Sequence, residues 1–244
     1  MTGPAIGSGK NLSVAAPSVT TEYLVRSETF CGNSAEMSIM VTVFDNPVAD
    51  FSVADICENE SAVFTDLSQI ASGTITQWEW DFGDGSPTSN LQNPSHTFVG
   101  YGSQTINLTV TSNNNCLHNQ SMSMEVHDLP TASFTANSAC LGESTEFINT
   151  STAPVSSITS YEWDIDGNQY LTQDVSHTFA SSGSYNVSLM AETEHQCSHT
   201  VFQSVNVFEL PTADFTFFNP CRSNVIELTN TSIPNGSPLS TYHW

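Results

Sequence analysis

One phrase returns three times along this chain and holds its register. Pro47-Val48-Ala49-Asp50-Phe51, Pro130-Thr131-Ala132-Ser133-Phe134 and Pro211-Thr212-Ala213-Asp214-Phe215 begin 83 and then 81 residues apart. Ten residues after each proline stands a cysteine (Cys57, Cys140, Cys221), and 17 after it an apolar core residue (Phe64, Phe147, Leu228). A serine follows at 21 (Ser68, Ser151, Ser232) and a tryptophan at 33 (Trp80, Trp163, Trp244). Four kinds of residue in register through three copies define a tandem repeat of about 80 residues, the size of a small β-sandwich domain.

Within the repeat the periodicity is that of strands. In Trp78-Glu79-Trp80-Asp81-Phe82-Gly83-Asp84-Gly85 rings alternate with carboxylates, which places Trp78, Trp80 and Phe82 on one face ahead of a turn. Glycine supplies that turn because it reaches positive φ without a Cβ clash. Tyr161-Glu162-Trp163-Asp164-Ile165-Asp166-Gly167-Asn168 repeats the pattern, and Tyr242-His243-Trp244 begins it again in a truncated third copy. Ile106, Leu108 and Val110, like Tyr185, Val187, Leu189 and Ala191, alternate with polar residues, and Ser/Thr/Asn/Gly clusters separate these runs. No helical period emerges. The expected fold is all-β: tandem antiparallel Ig-like sandwiches.

The boundaries follow the phrase, giving repeats at 47–129 and 130–210 and the start of a third at 211–244. Residues 1–46 lack the aromatic turn. Thr21-Glu22-Tyr23-Leu24-Val25-Arg26, Cys31 and the alternating run Met37 to Phe44 read as the back half of a related sandwich. The connectors Asp45-Asn46-Pro47, Asp128-Leu129-Pro130 and Glu209-Leu210-Pro211 are short and stiffened by proline, which favours an extended rod over a flexible string.

Charge excludes several functions. Lys10, Arg26 and Arg222 face 25 carboxylates, for a formal charge of -22. Such a field repels phosphate backbones and anionic lipid, so nucleic-acid and membrane-surface binding are not expected. The scattered acids read as a solvated surface in a salty medium. No segment is apolar and long enough to span a bilayer, and no signal peptide is evident at Met1.

Each full repeat holds an early and a late cysteine, and the arithmetic pairs them within the repeat, as Cys57–Cys116 and Cys140–Cys197. Cys31 and Cys221 then require partners outside the sequence, a Cys31–Cys221 bond being the alternative. Disulfides imply an extracellular or cell-surface protein, with the signal peptide lying outside this fragment.

The order Trp80-Asp81-Phe82-Gly83-Asp84-Gly85-Ser86, Asn93-Pro94-Ser95-His96-Thr97-Phe98, Gly102 and Ile106/Leu108/Val110 resembles the signature of PKD (polycystic kidney disease) domains. The second copy resembles it through Trp163-Asp164-Ile165-Asp166-Gly167, Ser176-His177-Thr178-Phe179, Gly183-Ser184-Tyr185 and Val187/Leu189. It departs from the pattern at Ile165, where the first glycine of the turn is lost; the first copy departs at Gln104, in place of a tyrosine. Residues 1–46 are similar to Ig-like repeats that precede such arrays in giant secreted proteins of Bacteroidetes-type bacteria. The resemblance implies structural roles for Trp80, Asp81, Gly83, Asp84, Gly85, His96, Phe98, Gly102, Trp163, Asp164, Asp166, Gly167, His177, Phe179, Gly183 and Tyr185. It implies a stalk, an adhesive repeat, or an accessory region of a secreted hydrolase.

No catalytic constellation stands out. Asp81 with Asp84, and Asp164 with Asp166, are pairs of carboxylates, but a turn tip lacks the concave site that splits two pKa values, and Asx turns account for them. Asp164, Asp166 and Asn168 begin like a calcium loop without the distal glutamate, and Asp50, Glu58 and Glu60 are a second acidic group near a junction. His195, Cys197 and His199 share a strand face, yet a zinc site needs Cys197 free, and His118 repeats the spacing beside Cys116. Trp78 and Tyr161 are candidate sugar-stacking rings, although the alternation turns Trp78 toward the core. Asn107, Asn149 and Asn186 head Asn-x-Ser/Thr triplets that this composition produces cheaply.

The chain thus reads as a non-catalytic fragment of a large extracellular multi-repeat protein, a stalk or adhesive repeat contacting surface carbohydrate or protein ligands and its adjacent repeats. The alternative is an accessory PKD region of a secreted protease or chitinase whose catalytic domain lies outside the chain. No cofactor is expected beyond the candidate calcium.

Overall fold

The computed structural model describes residues 6–218, 222, 225–236 and 241, so Cys221 and the third aromatic copy Tyr242-His243-Trp244 lie outside the described residues. The described residues form strands and turns with no helix, and hence no helix long and apolar enough to cross a membrane. Two units are distinct: Met1–Ala54 with Ser61–His96 and Gln104–Met124, and Asp55–Glu60 with Thr97–Ser103 and Glu125–Trp244.

In the first unit, strand Ile75–Asp81 pairs antiparallel with Gly102–Ser112, setting Leu108 opposite Trp80 and Val110 opposite Trp78. The alternation does what the pattern requires: Trp80 and Phe82 are buried while Glu79 and Asp81 face water. Around Trp80 pack Phe51, edge-on at 5.1 Å, and Phe64 at 5.5 Å. Near the N-terminus Thr21–Val25 pairs with Met37–Val41, shorter than the run to Phe44, and no residue of Met37–Val41 is buried.

The second unit holds a clear sandwich. Phe134–Ala136, Ser144–Asn149 and Val175–Thr178 make one sheet. The other orders Ala139–Cys140, Ser198–Phe208, Gly183–Thr193, Ile158–Ile165 and Asn168–Tyr170. Phe134, Phe147 and Val175 of the first sheet share a core with Trp163, Ile165, Val187, Leu189, Val205 and Val207 of the second. The two buried tryptophans also satisfy their indole N–H groups, Trp80 Nε1 donating to Leu91 O at 2.9 Å and Trp163 Nε1 to Thr172 O at 3.0 Å.

The cysteine pairing is corrected by the structure. The disulfide is Cys57–Cys197, across 140 residues, and neither Cys57–Cys116 nor Cys140–Cys197 forms; Cys116 and Cys140 are free. Strand length is the reason. Cys140 pairs with Phe208, the last residue of strand Ser198–Phe208, whereas Cys197 immediately precedes its first. At about 3.3 Å per residue the two lie about 35 Å apart, against the 7 Å or less between Cα atoms that a disulfide needs. Cys57 beside His127 and Cys116 before Leu117 stand in the same relation to strand Leu117–His127. On the chain-entropy estimate a loop of this size stabilises the fold by about 5 kcal/mol.

The turn after Trp80 explains the departure at Ile165. Gly83 has φ 77°, and a Cβ there would lie 2.4 Å from the Thr105 carbonyl oxygen. In the second repeat Ile165 instead extends the strand and is fully buried, while Asp166 (φ 53°) and Gly167 (φ 76°) make a two-residue hairpin into Asn168–Tyr170. Gly83→Ala should destabilise the chain by about 3 kcal/mol, through the left-handed φ and the backbone overlap together. Gly85→Ala, at φ 78° with open space around it, should cost about 1 kcal/mol. Equal losses in denaturant titrations of the two variants would contradict the close approach at Gly83.

Candidate functional site

Two places concentrate the polar side chains of the motif: the turn after the aromatic strand, and the joint at which one repeat gives way to the next. At the first turn the aspartates fold onto their own backbone. Asp81 Oδ1 accepts from Gly83 N and Asp84 Oδ1 from Ser86 N, both at 3.0 Å. Asp84 Oδ2 meets His96 Nε2 at 2.7 Å, and the His96 ring lies flat on Phe82 at 4.1 Å. Partial burial works to raise the Asp84 pKa, but bonds from Ser86 and His96 outweigh it and lower it to about 2.

The second turn holds its histidine differently. His177 Nδ1 meets the Tyr170 hydroxyl at 2.9 Å, Tyr170 being on the strand that the shorter hairpin adds. Asp164 Oδ1 accepts from Gly167 N at 3.1 Å, and Asn168 Nδ2 donates to the carbonyls of Ile165 and Asp166 at 3.3 Å. Asp166 sits at the exposed tip. The candidate calcium residues thus spend Asp164 Oδ1 and the Asn168 amide within the turn. Among the described residues no three His, Cys, Asp or Glu side chains gather as a metal site. Phe98 and Phe179 are buried, Gly102 and Gly183 take φ of 124° and 153°, and the Tyr185 hydroxyl donates to Ser181 O at 2.8 Å. That tie is a tyrosine corner, and Gln104 stands in its place in the first repeat.

The repeated serine closes the opening phrase. Ser68 Oγ accepts from Asp50 N and donates to Asp50 O; Ser151 does so with Ser133, and Ser232 with Asp214. His118 and His199 have a role that sequence reading missed. Their Nδ1 atoms accept the buried amides of Ala49 (2.9 Å) and Ala132 (3.0 Å), tying the last long strand to the phrase. The signal was present, since alanine at +2 and histidine two after the late cysteine hold register as the serine does.

At the joint, Asp128 is 3% exposed and accepts from Val155 N, Ser156 N and the Ser156 hydroxyl. Burial opposes its ionisation, yet these donors prevail and its pKa is lowered. Beside it the Cys57–Cys197 bond is flanked by His127 stacked on His195, ring centres 3.7 Å apart and nearly parallel. His195, Cys197 and His199 therefore serve a stack, a disulfide and a backbone bond, and do not converge on a metal. The candidate stacking rings are engaged as well: Trp78 Nε1 donates to Asp66 Oδ2 at 2.7 Å, and Tyr161 packs against the core. Trp78 also lines a partly open, polar depression together with Gln77, Glu79, Thr109 and Thr111.

A carboxylate whose folded pKa lies below its unfolded value of about 3.9 adds stability that is complete above that value and lost as pH falls through the folded one. The melting-temperature gap between the native chain and Asp84→Asn should therefore be full at pH 6 and close between about pH 4 and pH 2. A gap independent of pH would contradict an Asp84 carboxylate held ionised by the bonds from Ser86 and His96.

A model of the PKD domain matches residues 45–126 and again 127–207, about two thirds of the chain. Among solved structures, the PKD1 domain of Vibrio anguillarum Epp is 27% identical with a TM-score of 0.31, over 33% of this chain and 93% of that one. The PKD1 domain of the Vibrio cholerae metalloprotease PrtV is 30% identical with a TM-score of 0.31, over 33% and 96%. Fibronectin(III)-like modules of Clostridium thermocellum CbhA align at 15% identity and a TM-score of 0.36, over 67% and 93%. These two matches show that the chain belongs to the PKD domain family.

Proposed function

We propose that this chain is a non-catalytic run of repeats within a large extracellular protein, serving as a stalk or adhesive segment. The observation that carries the reading is the Cys57–Cys197 bond, which joins a residue of the first family match to a residue of the second. A bond that bridges successive repeats transmits load between them, and it persists only in an oxidising compartment. The polar groups that hold register between the repeats support the same reading, because their serine, histidine and aspartate side chains are occupied by turns, amides and the joint. Repeat boundaries at 47–129 and 130–210, with a third repeat opening at 211, belong to this proposal. Contacts with surface carbohydrate or protein would fall on the outward strand faces.

The rival is an accessory region of a secreted hydrolase. Sequencing the coding region on both sides of this chain separates the two. The stalk reading predicts further repeats with the same proline phrase and paired cysteines; a single catalytic domain abutting these repeats would overturn it. An antibody to the chain should recover the native protein from the cell surface or medium with Cys57 and Cys197 oxidised. Recovery from the cytosol with both as thiols would contradict the extracellular assignment.

A further inference from the structure

Each repeat builds both halves of the disulfide, yet within the chain only one half of each is used. The early-cysteine turns are alike: Glu60 N donates to Cys57 O at 3.1 Å and Glu143 N to Cys140 O at 3.0 Å. Each turn is fixed to the end of a long strand, through Glu58 N to His127 O and Leu141 N to Phe208 O, both at 2.8 Å. The late-cysteine hairpins are alike too. Ser112 N donates to Cys116 O and Thr193 N to Cys197 O, both at 2.9 Å. The residue before each cysteine is left-handed, Asn115 at φ 60° and Gln196 at φ 64°.

We propose that these are the two ends of a connector, in which the early-cysteine turn of one repeat docks the late-cysteine hairpin of the repeat that follows it. Cys140 is then a prepared site for the late cysteine of a following repeat, and Cys116 for the early cysteine of a preceding one. The closed bond and three further observations carry this. Cys57 shows the joint closed, in the forward direction. Strand Ser198–Phe208 holds Cys140 and Cys197 at opposite ends, so Cys140 cannot be served by its own repeat. Beside Cys140 the ring of Phe208 stands where His127, which stacks on His195, stands beside Cys57. A third phrase follows with its serine clamp already formed at Ser232 and Asp214.

Closing the joint is a balanced exchange. The two thiols give up two protons and two electrons and become one disulfide, and a small disulfide such as oxidised glutathione takes them up and leaves as two thiols.

The test is a chain in which residues 130–210 occur twice in tandem, the second copy carrying Cys140→Ser and the mass marker Thr200→Ser. It is folded with oxidised glutathione, alkylated and digested without reduction. Cys140 should fall from full alkylation in the native chain to near zero, in a peptide bonded to the marked Cys197. Cys140 still fully alkylated in a folded product, or bonded to the unmarked Cys197, overturns the proposal. The native chain with Cys197→Ser gives a second measurement that needs no added repeat. Cys57 should become fully alkylated, and a Cys57–Cys116 peptide would overturn the fixed separation on which the connector depends.

Discussion

The long hairpin Gly183–Thr193 with Ser198–Phe208 is the constraint on which the second repeat rests. Its inward residues Val187, Leu189, Val205 and Val207 supply much of the core. Burying them at about 1.5–3 kcal/mol each makes the hairpin a large share of the repeat's stability. Its length does something separate. Eleven residues in an extended strand set the ends of the repeat about 35 Å apart, and the phrase, the clamps and the cysteines are distributed between those ends.

Polar residues then fix the chain where it enters each repeat. The serine 21 residues after each proline (Ser68, Ser151) and the histidine two after the late cysteine both bind backbone groups of the opening phrase. These bonds are worth more than their net contribution suggests, because the alanine amides are buried and would be left without an acceptor at about 1–3 kcal/mol each. Asp128 acts likewise just ahead of the phrase, gathering donors from Val155 and Ser156. The side chains that a search for catalysis would select are thus occupied in building the entry to the fold.

How much of this could be read in the sequence depends on range. The strands, the all-β class, the buried Trp80 and Trp163 and the Asx turns at Asp81 and Asp84 follow from alternation and turn chemistry, which act over a few residues. The disulfide did not follow, although the cysteines were visible. Spacing along the chain says that Cys140 and Cys197 belong to one repeat, but not that a straight strand lies between them. The roles of His118 and His199 were hidden for a related reason, since their partners are amides 69 and 67 residues away. Only the shared register of alanine and histidine hinted at the contact. At Ile165 the lost glycine was legible and its remedy was not, because a two-residue hairpin with an added strand is chosen by packing.

Of the measurements that bear on this account, pulling the chain by its ends with and without reducing agent tests its central claim most directly. Joined as Cys57–Cys197, the enclosed 140 residues are shielded from extension until the bond is reduced. Reduction should then add a single increment of about 500 Å to the fully extended length, at roughly 3.5 Å per residue. Two increments of about 200 Å would mean bonds closed within each repeat, and no increment would mean no bond at all. Either would contradict the Cys57–Cys197 bond that links the two repeats.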